Sequence, residues 1–269
     1  MSLQHFSGTA GQWSAMFFRG ALDLLFPPRC PLCDVFLSPE PDARGGRRRQ
    51  GPGFCPACLG GFPPLPRSHC SKCGLPFEAD LPTPHACGRC LAKPPPYRRA
   101  MSAGLYEGAL RRAVHRFKYQ GRMDLVAPLA GFMMDHLAPP FYPPEVDLIL
   151  PAPLHARRLR ERGFNQALVL ARELFRDFPH KVRVDLLTRV RFTSPQAGLR
   201  GRARRRNVKG VFLAPQPRKL AGRTVMIFDD IHTTGATAAE CARTVLKAGA
   251  RDVLVLTLAR VKRSGLGSV

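Results

Sequence analysis

Acidic residues are scarce in this chain: 19 Asp and Glu stand against 42 Lys and Arg, for a formal net charge of +23. Such a surplus repels itself unless an anion is at hand, which points to phosphorylated small molecules or nucleic acid, or to a genome that simply favours arginine. Tryptophan occurs once and tyrosine four times, so stacking platforms for single strands are not obvious beyond Phe117 and Tyr119 among basic residues. No apolar run reaches the ~18 residues of a membrane-spanning helix. Residues 12–26 read as an amphipathic helix broken by Arg19 and Asp23, without the basic start or cleavage site of an export signal. The expected location is therefore cytoplasmic, with no integral membrane segment. A Gly-x-Gly-x-x-Gly run is also missing, which argues against a dinucleotide fold.

Proline and cysteine are plentiful and unevenly placed. Most of the 27 prolines precede residue 100, so that part is expected to be loop-rich. Eight of the nine cysteines form four Cys-x-x-Cys pairs: Cys30/Cys33, Cys55/Cys58, Cys70/Cys73 and Cys87/Cys90. Two intervening residues let one tight turn aim both sulfurs at one ion, and tetrahedral zinc needs two such turns. Four pairs thus predict two structural Zn2+ sites of four cysteines each. Sequential pairing closes shorter loops at lower entropic cost than a cross-braced arrangement. Disulfides do not suit a chain without export features, and a redox pair belongs after a strand rather than in a proline-rich stretch. His69 and His85 read as bystanders, residues 37–53 as a disordered excursion, and Cys241 as a small core residue.

The run Lys93-Pro94-Pro95-Pro96 reads as a stiff linker. It divides an N-terminal helix and zinc-binding domain (1–96) from an α/β domain (97–269). Periodicity predicts strands at 101–106, 146–150, 224–228 and 252–258 and helices at 108–119, 124–137, 164–178 and 236–248. This alternation calls for a parallel β-sheet flanked by helices. The helix at 108–119 carries Arg111, Arg112, His115, Arg116 and Lys118. Residues 188–210 hold eight Arg and Lys and no acid, as either a mobile closing loop or a solvated basic segment.

Residues 225–237 concentrate the chemistry. Four apolar residues deliver Asp229 and Asp230 to the carboxyl end of a buried strand, where ligands bind in open α/β sheets. Adjacent carboxylates there can accept hydrogen bonds from the 2′- and 3′-hydroxyls of a ribose. Thr233, Thr234, Gly235, Ala236 and Thr237 then open a helix, offering N–H groups and hydroxyls to a phosphate. Gly235 lets the backbone turn and approach closely.

All thirteen positions resemble the 5-phosphoribosyl-1-pyrophosphate (PRPP) motif of type I phosphoribosyltransferases. The wider chain is similar to the ComF family (competence protein F-like, or amidophosphoribosyltransferase-like) over nearly its whole length. Besides the cysteine pairs, the shared runs are Lys93-Pro94-Pro95-Pro96, Phe117-Lys118-Tyr119, Pro151-Ala152-Pro153-Leu154, Arg162-Gly163-Phe164-Asn165-Gln166, Gln196 with Gly198-Leu199, and Arg205 with Asn207. His232 is a mild departure. The resemblance implies a type I phosphoribosyltransferase core binding PRPP with Mg2+ through Asp229, Asp230 and the 233–237 turn. It also implies a loop at 153–164, with Arg157, Arg158, Arg160, Arg162 and Gly163, that meets the pyrophosphate. Asp229 and Asp230 would serve catalysis by holding the sugar as charge develops on its ring. His115 and His232 read better as solvated or helix-packing residues than as bases, and the acceptor is not named. Members are linked to uptake of transforming DNA. The alternative is therefore a non-catalytic protein binding single-stranded DNA and other uptake proteins, with PRPP as a regulatory ligand.

Overall fold

A computed structural model describes residues 26–37, 53–79, 85–137, 145–193 and 206–262. The expected helix at 12–26, the 37–53 excursion and the 194–205 interior of the basic segment, with Gln196, Gly198, Leu199 and Arg205, lie outside the described residues apart from their ends.

The strands are β1 (Arg99–Leu105), β2 (Leu148–Pro151), β3 (Thr188–Arg189), β4 (Phe212–Leu213), β5 (Thr224–His232) and β6 (Asp252–Arg260). Four of them form a wholly parallel sheet in the order β1-β6-β5-β2. The helices are α1 (Pro56–Gly60), α2 (Gly88–Ala92), α3 (Gly108–Gln120), α4 (Val126–His136), α5 (Ala156–Arg162), α6 (Gln166–Leu174) and α7 (Ala236–Lys247). On β5, Met226 and Phe228 pack into the cluster of α3, α4 and α6, whereas Val225 and Ile227 pack into that of α7. Successive side chains of a strand point to opposite faces, so a strand covered on both reads as an unbroken apolar run. Cys241 is buried on the α7 side, as a small core residue should be.

The ladder carries β5 past its apolar part, with Asp229 opposite Thr257 and His232 opposite Arg260. Residues 156–162, expected in a loop, form α5 instead. This helix buries none of its residues, so no apolar stripe marked it. The helix predicted from 164 starts at Gln166, because the Asn165 side chain accepts from the N–H groups of Ala167 (3.0 Å) and Leu168 (3.4 Å). That is an N-cap. β3 and β4 pair antiparallel, bringing the two ends of the basic segment together.

The cysteine-rich part lies directly against the sheet. Cys30, Leu32, Cys55, Cys58 and Phe62 share one apolar cluster with α3 and α4, and Phe62 meets Phe132 edge to face at 5.2 Å. Leu65 N–H donates to Ala103 O (3.2 Å) and Leu105 N–H to Pro63 O (2.8 Å), so this segment covers the open edge of β1. A Cβ at Gly104 would lie 2.7 Å from Pro63 O and 2.8 Å from a Leu110 methyl. Only glycine permits that approach. Among the described residues, no helix is long and apolar enough to cross a membrane.

Candidate functional site

The eight paired cysteines gather into two groups, Cys30/Cys33/Cys55/Cys58 and Cys70/Cys73/Cys87/Cys90, with the four sulfurs of each within 4.8 Å of one another. The fold therefore adopts the sequential arrangement. Sulfur separations of 3.6 Å (Cys33–Cys55) and 3.9 Å (Cys73–Cys87) bracket the ~3.8 Å edge of a tetrahedron with Zn–S bonds of about 2.3 Å. They are far longer than the ~2.05 Å of a disulfide, and all nine cysteines are free. The N–H of Cys58 points at Cys55 Sγ (3.4 Å), and those of Cys73 and Cys87 at Cys70 Sγ (3.5 and 3.2 Å). Such donors favour thiolates. Burial and the neighbouring sulfurs push the Cys58 and Cys90 thiols up, a conflict that a divalent cation relieves. The donor set fits structural zinc. His69 turns to Pro66 O (2.7 Å) and His85 stacks on Phe77 (4.3 Å), so neither joins the sulfurs.

At the carboxyl end of the sheet lies a cavity of about 570 Å³. β5 contributes Asp229 and Asp230, and the turn into α7 contributes Thr233 and Thr237. Residues i and i+4 share a helix face, and on α5 these are Arg158 and Arg162, which both line the cavity. Lys118 and Tyr119 reach it from α3, and Arg189 from β3. Two carboxylates and four cations thus converge on one space.

Their electrostatics are coupled. Lys118 Nζ donates to Asp230 Oδ2 at 2.6 Å, with both side chains largely buried. Burial opposes the lysine's charge, but Asp230 more than compensates and raises its pKa. Among the described residues Asp229 has no such cation within ion-pair distance, and its Oδ1 accepts from Asp230 N–H at 2.9 Å. Burial and the neighbouring Asp230 charge push its carboxyl up to about 7, against a smaller opposing pull from Lys118. Arg162 donates to Gln166 Oε1 (3.1 Å) and lies over the Tyr119 ring (5.5 Å). Gln166 Nε2 and Arg189 Nε are buried donors without a partner among the described residues.

The remaining expected site residues are placed around this space. Thr234, Gly235 and Ala236 shape the turn without lining the cavity: Gly235 is left-handed (φ 76°), and Thr234 Oγ1 accepts from Ala236 N–H at 3.3 Å. Gly163 ends α5 in the left-handed region (φ 78°), outside the lining, with open space where a Cβ would stand. Arg157 pairs with Glu161 (3.2 Å) and covers Phe192, and Arg160 is not in the lining. His232 is not solvated, and its ring lies against Gly235, the N-cap of α7. It is buried beneath the turn with both ring nitrogens unpartnered. Burial, with the charges of Arg260 and Arg89, pushes its pKa down to about 3, which favours the neutral ring. Lys118 and Arg189 were visible as basic residues but not as cavity residues. Lys118 stands four residues after the buried Val114 on α3, and that shared face was the available signal.

Comparison with known proteins decides the family. A family described as "Double zinc ribbon domain" matches residues 21–91. The DNA utilization protein YhgH of Salmonella typhi is 38% identical over 72% of this chain and 84% of its own length. Competence protein F of Haemophilus influenzae is 31% identical over 77% of this chain and 90% of its own. Competence protein ComFC of Bacillus subtilis is 27% identical over 61% and 65%. The chain belongs to the ComF family. In this ComF protein the ribbon match takes in all eight paired cysteines. The ribbon also touches the α/β part through side chains: Arg116 donates to Leu32 O (2.9 Å) and Arg122 to Pro31 O (3.3 Å).

Proposed function

We propose that this ComF-family protein binds Mg·PRPP in the 570 Å³ cavity and transfers the phosphoribosyl group to an acceptor. The observation that carries the reading is the order of groups along β5: two carboxylates, then a Thr/Gly turn into a helix, inside a ring of Lys118, Arg158, Arg162 and Arg189. Asp229 and Asp230 accept the ribose 2′- and 3′-hydroxyls. The turn's N–H groups, with Thr233 and Thr237, hold the 5′-phosphate. Guanidinium groups grip the pyrophosphate oxygens in pairs. The oxygens of Asp229 and Asp230 are the groups here that would hold Mg2+, which when bound would neutralise the leaving pyrophosphate. As the bond at the anomeric carbon loosens, the carboxylates stabilise the charge spreading over the ring.

Calorimetry with Mg·PRPP tests this. Wild type is expected to bind, and an Asp229→Ala/Asp230→Ala variant to bind at least ~100-fold more weakly, having lost two charge-assisted contacts. No binding by wild type ends the proposal. Binding without pyrophosphate release across a panel of nucleobases and amines would reduce the cavity to a regulatory site.

A second reading, single-stranded DNA handling in the cytoplasm beside other uptake proteins, is favoured by a separate feature. Arg111, Arg112, His115 and Arg116 line a shallow groove of about 460 Å³ on the outer side of α3, and the relatives are named for DNA utilization and competence. Oligonucleotide affinity is then expected to fall with salt, log K against log[salt] having a slope of about −0.7 per phosphate neutralised. A flat salt dependence, or no binding, counts against it.

A further inference from the structure

Residues 232–234 present three consecutive peptide carbonyls, and each accepts a hydrogen bond from an arginine outside the turn. Arg260 Nη1, at the end of β6, donates to His232 O (2.7 Å) and to Thr233 O. Arg89 Nη1 donates to Thr234 O (3.2 Å). Both arginines also belong to the surroundings of the second sulfur group. Arg89 stands between Cys87 and Cys90 in the sequence, and Arg260 Nε donates to Cys73 O at 3.1 Å. Arg260 is only 1% exposed, and a guanidinium so far from water requires counter-charge. Four thiolates around a divalent zinc leave a net charge of about −2. Two arginines match it.

We propose that Arg89 and Arg260 are positioning residues that tie the phosphate-binding turn to the second zinc centre and preset the direction of its peptide N–H groups. The inference rests on the reading of that turn as the holder of the 5′-phosphate. A trans peptide carries its C=O and the following N–H on opposite edges. Holding the carbonyls of 232, 233 and 234 toward the ribbon turns the N–H groups of Thr233, Thr234 and Gly235 the other way. Thr233 and Thr237 of the same turn line the cavity that those N–H groups would serve. His232 fills the space beneath, its Nε2 lying 2.7 Å from where a Gly235 Cβ would be, so the turn has little room to collapse. Amides set in this way need no reordering when phosphate arrives. The metal centre thereby contributes to ligand binding without touching the ligand.

Arg89 is the residue to change, because it is partly exposed whereas Arg260 is buried in the core of the contact. The experiment compares full-length, zinc-loaded wild type, Arg89→Ala and Arg89→Lys. It reads ligand-free hydrogen exchange across residues 233–236, zinc content, and calorimetric affinity for Mg·PRPP. Arg89→Ala is expected to keep both zinc ions, exchange about tenfold faster in the turn but not in β6, and bind Mg·PRPP about tenfold more weakly. Arg89→Lys should recover part of both changes. Unchanged exchange in Arg89→Ala overturns the tie. Loss of a zinc ion from that variant overturns it too, since Arg89 would then serve the metal site itself. If wild type fails to bind Mg·PRPP, the proposed ligand has failed, and the exchange comparison alone decides the tie.

Discussion

Lys118→Met is expected to lower stability by about 3 kcal/mol and to abolish measurable binding of Mg·PRPP. Methionine keeps most of the stem's volume, so the loss isolates the ammonium group. That group lies 2.6 Å from Asp230 Oδ2 in a largely buried pair, and its removal strands a carboxylate beside a second one. The pH dependence gives an independent reading. Asp229 is raised from its ordinary 3.8 to about 7, so between these values the native state holds a proton that the unfolded chain has released. Stability therefore falls as pH rises through that window. Lys118 is raised above its ordinary 10.5, and its own contribution stays complete from pH 5 to 8. Without Lys118, Asp229 moves higher still, and the decline extends further toward alkaline pH. Urea unfolding of both proteins at pH 5 and pH 8 should show a larger gap at pH 8. Equal stability at both values would mean the pair contributes nothing.

Loss of the first zinc should be more damaging. Cys58→Ser is expected to reduce the zinc content from about two ions per chain to one, and to lower the thermal midpoint by more than ~10 °C or leave the chain insoluble. The reason is location. Cys30, Cys55 and Cys58 share a cluster with Leu110, Phe117 and Phe132, so this metal organises the layer that covers α3 and α4. Structural zinc supplies roughly 10–16 kcal/mol in small zinc-dependent peptides, against a total domain stability of about 5–15 kcal/mol. Elemental analysis with thermal unfolding checks both parts. No zinc in wild type would remove the metal reading altogether, and an unaltered midpoint in Cys58→Ser would remove its structural role.

Features that depend on short-range chemistry were legible in the sequence. The Cys-x-x-Cys pairs announced both sulfur groups and even their pairing, because two residues fix a turn and loop entropy ranks the alternatives. The apolar run before Asp229 announced β5, since a strand buried on both faces leaves no polar position. Features created by tertiary contact were not legible. α5 has no buried residue and so no periodic signal, although its arginines were recognised as candidates. β3 and β4 are two residues each, too short for a pattern. Lys118 looked like one more charge on a basic helix until packing placed Asp230 against it. His232 read as solvated or helix-packing because its burial comes from Tyr97, Gly235 and its ladder partner Arg260, all distant from it in sequence or beyond the apolar run.

The covered edge of β1 carries a consequence for how the chain comes together. β1 binds the cysteine-rich part along one edge and β6 along the other, with Arg99 opposite Leu254. β6 is the strand farthest along the chain among the described residues. During synthesis the ribbon can load metal early, but the strand it covers gains its sheet partner only after every other described strand has emerged. Such long-range pairing is slow because chain entropy must be lost before the contact stabilises anything. Until then, β1 is an apolar strand with an open side, the state most prone to wrong pairing. A ribbon already seated over the other edge, through a contact that Gly104 alone allows, halves that exposure.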